Sequence, residues 1–264
     1  MLKNLVKYDF KWVFKNIIIF IILGLVFACL GRLLGLIENS LIFVIISAIC
    51  KGASTSLLIS AVMNALIRTW VRTNINIYKD EGYLTNTLPV EKGLHFDSKF
   101  ITICITLIIT IITTVLGLII MYFNENTIDM IKGIFVTIEQ NLNVSVTLII
   151  ILMVVLVILQ FLFIGLCGFV GIIYGNAYND RKLAKTFVLG VGSYFVFNIV
   201  TLLVFLILAI FDEGIKSMFF NSNGKLEYSS GILMLITGSV LYIIYITVLY
   251  YLSKKKLNSG INID

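Results

Sequence analysis

The sequence of this 264-residue chain has very little charge: 13% of its residues are Asp, Glu, Lys or Arg, whereas 59% are hydrophobic. A soluble protein carries about 25% charged residues, because polar groups must cover much of its surface. The chain also contains one proline and one histidine, His95. A single histidine excludes a multi-histidine metal centre and gives no support to a His-based catalytic triad. These shortages predict a chain whose main solvent is lipid.

Cysteines and nucleotide-binding patterns offer no catalytic chemistry either. The four cysteines all lie inside apolar runs, without the paired, polar spacing of a disulfide framework or a zinc site. The sequence contains no GxxxxGK[ST] phosphate-binding loop, so it has no P-loop with which to hydrolyse ATP. Its carboxylates cluster in loops and near helix ends instead of forming pairs inside the apolar runs. We therefore expect a non-catalytic membrane protein without a cofactor or a metal ion.

Six apolar runs are long enough to cross a hydrocarbon core of about 30 Å, which takes about 20 residues of helix. The runs are continuous, and they lack the alternating pattern of a membrane barrel, so each is predicted to be a helix. The predicted spans are 17–37, 41–67, 100–123, 146–174, 187–211 and 231–252. The sequence thus predicts an all-α integral membrane protein, with a single transmembrane domain over residues 1–264.

The distribution of charge predicts an orientation for these spans. Most of the 20 lysines and arginines lie in the first 15 residues, in the segment 68–99, near Arg181 and in the C-terminal tail. Because cytoplasmic segments of membrane proteins are enriched in lysine and arginine, both termini are predicted to be cytoplasmic. The net charge of +6 is then an orientation signal held by the anionic inner leaflet.

The first 15 residues also have a helical pattern of their own. Lys3, Lys7, Lys11 and Lys15 follow one another at four-residue spacing. This spacing puts the four lysines on one stripe and favours an amphipathic helix over residues 1–15 that lies on the inner leaflet. A simple basic flank to the first span is the alternative interpretation.

Polar residues within the predicted spans are candidates for a substrate path. Lys51 interrupts the second apolar run, and a charge there costs about 2.5–3.5 kcal/mol on insertion. It could line an outer cavity, pair with Glu38, or extend to the outer headgroups. Interhelical hydrogen bonding is the alternative to a path for the uncharged candidates, which are Ser56, Ser60 and Asn64 in the second span and Gln160 in the fourth.

Small residues mark places where helices could approach closely. Gly31 and Gly35 form a GxxxG pattern in the first span. Gly168, Gly171 and Gly175 recur at three- and four-residue steps in the fourth span. Both sets predict helix packing, either within the chain or between two subunits.

The segment 68–99 contains both the single proline, Pro89, and the single histidine. Its stretch from Tyr78 to Val90 is too short and too charged to cross a membrane, so it is expected at the membrane surface. Pro89 ends any helix that precedes it. This stretch has the composition of a docking surface, because apolar residues lie beside two acids. An ordinary connecting loop is the alternative interpretation. The residues are Asp80, Glu81, Tyr83, Leu84, Leu88 and Val90.

The stretch KDEGYLTNTLPVEKG, residues 79–93, lies between the second and third spans. Together with the amphipathic N-terminus, the six spans and the internal termini, it resembles the membrane subunits of bacterial ABC exporters of the type-2 permease class. The resemblance implies that the segment 68–99 contains a coupling helix seated in a groove of a separate nucleotide-binding subunit. The implied contact residues are Asp80, Glu81, Tyr83, Leu84, Leu88 and Pro89.

The same resemblance implies an assembly in the bacterial cytoplasmic membrane. Two ATP-binding subunits and a second permease chain, identical or homologous, would join this chain around a central path, with membrane lipids around them and no nucleic acid. The expected cargo is an amphipathic or antimicrobial peptide, a lipid or a drug. The alternatives are a stand-alone secondary transporter or channel, and a non-transporting membrane immunity or scaffold protein that recruits a cytosolic partner.

Overall fold

The computed structural model describes residues 1–37, 40–79, 81–87, 90–123, 129–130, 132–133, 146–178, 180–220 and 228–259. The regular elements in these ranges are all α-helices, as the sequence predicts. In chain order they are α1 (Leu2–Gly35), α2 (Leu41–Tyr78), α3 (Gly82–Thr87), α4 (Lys92–Tyr122), α5 (Val146–Gly175), α6 (Lys182–Phe211), α7 (Glu213–Phe220) and α8 (Tyr228–Asn258).

Six of these helices are long and apolar enough to cross a membrane: α1, α2, α4, α5, α6 and α8. The chain is therefore a multi-pass membrane protein, which confirms the predicted fold class. The two short helices, α3 and α7, follow α2 and α6 respectively.

The membrane helices extend further than the apolar runs that predicted them. Helix α2 has 38 residues, about 57 Å of helix, and ends at Tyr78 instead of residue 67. Helix α4 begins at Lys92 instead of residue 100. The connection between these two helices is thus residues 79–91, much shorter than the predicted segment 68–99. Polar side chains in the additional turns pack against neighbouring helices, so these turns stay helical without being apolar.

Residues 2–15 are helical as predicted, but they are the first turns of α1, which continues into the first span without a break. Lys3, Lys7, Lys11 and Lys15 lie on one exposed stripe of this helix. The buried stripe on another face includes Val13 and Ile17, both fully buried. The helix therefore has an amphipathic start whose buried face runs directly into the packed face of the first span.

The chain divides into two compact units, residues 1–134 and residues 135–262. In the first unit, α1, α2 and α4 pack against one another and α3 packs on α2. Helices α1 and α2 form an antiparallel hairpin: the Ser47 hydroxyl donates to the Gly31 carbonyl at 2.6 Å, and the Ser54 hydroxyl donates to the Gly24 carbonyl at 2.7 Å. Small side chains thus let the two backbones approach closely.

Leu58 of α2 fills the space at the centre of the first unit. It is fully buried, and a Cβ atom at Gly24 of α1 would lie 2.8 Å from its Cδ2 atom. A Cβ atom at Gly117 of α4 would also collide with the same leucine. The two glycines therefore form the pocket that receives the Leu58 side chain.

In the second unit, α5 packs against α6 and α8, and α7 contacts α6 and α8. Phe163 of α5 is buried against aromatic rings of both neighbours, with its ring centroid 5.8 Å from that of Phe197 and 5.5 Å from that of Tyr242. Asp212 begins α7 by accepting hydrogen bonds from the Ser230 hydroxyl and the Ile215 backbone N–H. These two hydrogen bonds lower the pKa of the Asp212 carboxyl.

The glycines of α5 mark its crossing with α6. A Cβ atom at Gly171 would lie 2.5 Å from the Thr186 carbonyl oxygen and 2.9 Å from the Gly190 Cα atom. A Cβ atom at Gly175 would collide with the backbone of Thr186, and Gly168 lies near Gly190. All three predicted packing glycines of α5 are thus at this crossing.

We predict that Gly171→Ala lowers the free energy of unfolding by about 1–3 kcal/mol, because the added methyl group meets backbone atoms that cannot move aside. Gly192→Ala is the matched control, since a Cβ atom there has no neighbour within 4 Å. Denaturant titration in detergent, followed by far-ultraviolet circular dichroism, measures both. Equal stability of the two variants would contradict the close crossing of α5 and α6.

Candidate functional site

A buried group of charged and polar side chains joins four elements at one end of the first unit. The group includes residues from the start of α1, the end of α2, the connection before α3, and the start of α4. We call it the ionic cluster, and its members are Asp9, Arg72, Asn76, Glu81, Ser98 and Lys99.

The Asp9 carboxylate is the centre of the ionic cluster. Its Oδ1 atom accepts from Lys99 Nζ at 2.5 Å and from Arg72 Nε at 3.0 Å, and its Oδ2 atom accepts from Ser98 Oγ at 2.6 Å. The Asp9 and Lys99 side chains are 5% and 1% exposed. A carboxylate this deeply buried needs such partners, because burying an unpaired charge is very costly.

Glu81 connects the segment before α3 to the same cluster. Its Oε2 atom accepts from Arg72 Nη1 at 2.5 Å and from Asn76 Nδ2 at 3.1 Å. Arg72 therefore binds two carboxylates, one on α1 and one beside α3. The Glu81 side chain is 44% exposed, so this arm of the cluster reaches the surface.

Asn76 adds a second connection between α3 and the buried helices. Its amide oxygen accepts from Lys99 Nζ at 2.9 Å, and its amide nitrogen donates to Thr85 Oγ at 3.1 Å. Thr85 belongs to α3 and is buried. Both ends of the Asn76 amide are thus used, one toward α4 and one toward α3.

The charges of the ionic cluster balance, with two carboxylates and two cations. The Trp12 ring of α1 lies against the Arg72 guanidinium at 5.4 Å and against that of Arg68 at 5.9 Å. His95, one turn before Lys99 on α4, is also buried. Removing Asp9 or Lys99 leaves an uncompensated charge in a low-dielectric environment, because both side chains are buried.

The sequence positions Asp9 through the periodicity of α1. Asp9, Val13, Ile17 and Ile21 follow at four-residue spacing and are all buried. Asp9 is therefore in phase with the packed face, while the lysines two residues away occupy the exposed stripe. An acidic residue in phase with an apolar stripe is the sequence signal for this site. Lys99 is in phase with the buried Ile103 and Leu107 of α4 in the same way, whereas Arg72 and Asn76 lie beyond the apolar run of α2 and have no such pattern.

Of the predicted coupling residues, Glu81 and Tyr83 are described by the structure. Tyr83 lies in α3 and is 72% exposed. Leu84 is also part of α3, but its side chain lies outside the described residues, as do Asp80, Leu88 and Pro89 altogether. Helix α3 therefore has Glu81 held inward at its start and an aromatic ring exposed one residue into the helix.

The predicted path residues are spread along two helices. Ser56 of α2 is exposed, and Ser60 and Asn64 are half-buried. The Asn64 amide donates to the Ser60 carbonyl of its own helix at 2.9 Å. Gln160 is half-buried on α5, in the second unit. The described contacts thus give Asn64 an ordinary role within its helix.

Lys51 and the two glycines of α1 lie together, at the end of the first unit away from the ionic cluster. A Cβ atom at Gly31 would be 2.9 Å from Lys51 Cγ, and one at Gly35 would be 3.4 Å from Lys51 Nζ. The lysine stem thus lies along the surface that these glycines leave open. Glu38, its proposed partner, lies outside the described residues.

Comparison of the chain with known protein families, with curated protein sequences and with solved structures finds no match. The function proposed below therefore depends on the residues of this chain.

We predict that Asp9→Asn lowers the free energy of unfolding by about 3–5 kcal/mol, because it leaves two buried cations facing a single carboxylate. The double variant Asp9→Asn/Lys99→Met should lose less than the sum of its single variants, since it removes the opposing charges together. Chemical denaturation in detergent measures these differences.

Asp180→Asn is the matched control, because Asp180 is an exposed acid of the second unit and should change stability by about 0.5 kcal/mol or less. Additive effects of Asp9→Asn and Lys99→Met would show that the two side chains do not interact, which would contradict the ionic cluster.

Proposed function

We propose that the chain is the membrane-spanning permease subunit of an ATP-driven ABC exporter of the type-2 class, in a bacterial cytoplasmic membrane. The observation that carries the proposal is the placement of α3. This short helix lies between two membrane helices along the chain, is bound to α2 directly and to α4 through Asn76, and exposes Tyr83. On this proposal α3 is the coupling helix that contacts a separate ATP-binding subunit.

Helix α3 is held firmly on its inner side. Glu81 binds Arg72 of α2, and Thr85 binds Asn76 of the same helix. Asn76 in turn accepts from Lys99 of α4. A displacement of α3 therefore moves or breaks its contacts with α2, and Asn76 connects those contacts to α4.

The opposite side of α3 is exposed. Tyr83 is 72% exposed and Glu81 is 44% exposed at the side chain. An exposed tyrosine next to a half-exposed carboxylate is the composition of an interface anchor, because tyrosine supplies a large contact area together with a hydrogen-bonding group. A partner that binds this helix can thus move the end of α2 and, through Asn76, the start of α4.

The chain needs such a partner if it is an ATP-driven transporter. The sequence contains no P-loop, so the energy of ATP must come from another subunit. Closure of two ATP-binding subunits would move the coupling helices as rigid bodies and switch the access of a central path. The path would be shared with a second permease chain, identical or homologous, and amphipathic or antimicrobial peptides, lipids or drugs are the proposed cargo.

A stand-alone secondary transporter is the alternative, and it would use a buried carboxylate at the middle of the membrane. The buried acid among the described residues is Asp9, which precedes the first apolar run at residue 17 and binds residues at the ends of α2 and α4. Its position and its three donors suit a joint between helices better than an ion site at the membrane centre.

The proposal predicts that an ATP-binding subunit co-purifies with the wild-type chain and that Tyr83→Ala weakens its binding by about thirtyfold, as expected for loss of an interface anchor worth about 2 kcal/mol. Tyr8→Ala is the matched control, because Tyr8 is also an exposed tyrosine of the first unit, 67% exposed on α1. Co-purification from membranes, followed by titration of the purified subunits, measures the affinity. Equal affinity of Tyr83→Ala and wild-type protein would contradict the assignment of α3 as the coupling helix.

A further inference from the structure

An aromatic cluster lies near the middle of the membrane helices of the second unit. The Phe163 ring of α5 is buried, and its centroid lies 5.9 Å from that of Tyr194 and 5.8 Å from that of Phe197, both on α6. On α8, the Tyr242 and Tyr245 rings lie 5.5 Å and 5.7 Å from the same centroid. Three helices therefore bring five rings together, and we call these five residues the aromatic site.

Two tyrosines of the aromatic site keep part of their surface accessible. Tyr245 is buried, and its hydroxyl forms a hydrogen bond with the Thr201 hydroxyl at 3.0 Å. Tyr194 and Tyr242 are half-buried instead, and neither hydroxyl has a hydrogen-bond partner among the residues that the structure describes. Because water is scarce at this depth of a membrane, an unpaired hydroxyl is costly and favours a bound molecule that contacts it.

Gln160 adds a polar group beside the rings. It lies on the same face of α5 as Leu156 and Phe163, since residues four and seven positions apart are neighbours along a helix. Leu156 lies where α5 meets both other helices, because a Cβ atom at Gly238 of α8 would be 3.3 Å from Leu156 Cδ1 and 3.9 Å from Cζ of Phe205 on α6. The half-buried Gln160 therefore follows this contact toward Phe163 and the aromatic site.

The aromatic site is polar without being charged. The apolar runs 146–174, 187–211 and 231–252, which hold all of its residues, contain no Asp, Glu, Lys, Arg or His. Its recognition groups are thus phenol hydroxyls, an amide and the electron-rich faces of aromatic rings, which attract cations and disfavour anions. With no counter-charge present, a compact ammonium ion would lose too much hydration, whereas a cation enclosed in an apolar body loses little.

We propose that the aromatic site binds a lipophilic organic cation on the accessible rings of Tyr194 and Tyr242. Both rings contact Phe163 directly, so a ligand of the size of a drug can contact both at once. Such a cation would be cargo of the exporter, and this role rests on the proposed function. Binding itself requires only α5, α6 and α8, so it is measurable on the chain alone, without an ATP-binding subunit.

Equilibrium dialysis of the purified, detergent-solubilised chain against tetraphenylphosphonium tests the proposal, with protein-free detergent to correct for partition. Tetraphenylborate is the matched control ligand, because it has the same size and shape and the opposite charge. Wild-type protein should bind the cation at least about tenfold more tightly than the anion, since ring faces favour positive charge. Equal binding of the two ions would overturn the proposal, and this comparison depends on no variant.

Substitutions in the aromatic site locate the bound cation. Tyr242→Leu and Tyr194→Leu should each lower the affinity for tetraphenylphosphonium about tenfold, because each removes a ring face, whereas Tyr242→Phe keeps the ring and should lose less than about threefold. Tyr251→Leu is the matched control, since Tyr251 is an exposed tyrosine of α8 outside the aromatic site and should leave the affinity unchanged.

Circular dichroism verifies that each variant remains helical. Unchanged affinity in both Tyr194→Leu and Tyr242→Leu would overturn the proposal. That result would leave the proposed function standing, because α3 is tested separately through Tyr83 and a partner subunit. Loss of subunit binding in Tyr83→Ala, in turn, should leave tetraphenylphosphonium binding unchanged.

Discussion

The buried Asp9 carboxylate is the interaction on which the architecture of the first unit depends. It accepts hydrogen bonds from Lys99, Arg72 and Ser98, and so binds α1 to both α2 and α4. Because a charge is expensive to bury, these three donors are a condition for placing the start of α1 in the packed interior. The same arginine binds Glu81, which extends the constraint to the segment that begins α3.

Different forces hold the rest of the unit together. Along the middle of α1 and α2, serine hydroxyls bind glycine carbonyls and Leu58 fills the space between two glycines. Such packing depends on close contact, and close contact rather than exclusion of water stabilises helices within lipid. The ionic cluster acts at one end, where a network of directional bonds fixes the position of α3. Proposed coupling to an ATP-binding subunit relies on that combination of a packed bundle and a fixed surface helix.

The sequence was sufficient for the six membrane helices, because each contains a long apolar run that has only one stable form in lipid. It did not predict where α2 ends and α4 begins, since Arg72, Asn76 and Lys99 lie outside the apolar runs and contact other elements. Those contacts join residues up to 63 positions apart in the chain. Periodicity within one segment does not contain that information.

Of the ionic cluster and α3, only the residues of the short segment between the second and third spans are predicted from the sequence. Glu81 and Tyr83 stand out because a short polar stretch between two spans must lie at the surface, and the structure gives Tyr83 that exposure. Asp9 lies among the basic residues of the N-terminus, and its four-residue spacing from Val13 puts it on the packed face. Its partners become visible only when α1, α2 and α4 are brought together in three dimensions.

The most direct test of this account is amide hydrogen exchange in α3 of wild-type protein and of the Asp9→Asn variant. Asp9 lies on α1, and its effect on α3 passes through Arg72 and Glu81. Faster exchange across residues 82–87 in the variant, with α5 and α6 unchanged, is the predicted result. Unchanged exchange in α3, in a variant that is otherwise folded, would contradict the central claim that the ionic cluster holds this helix to the membrane bundle.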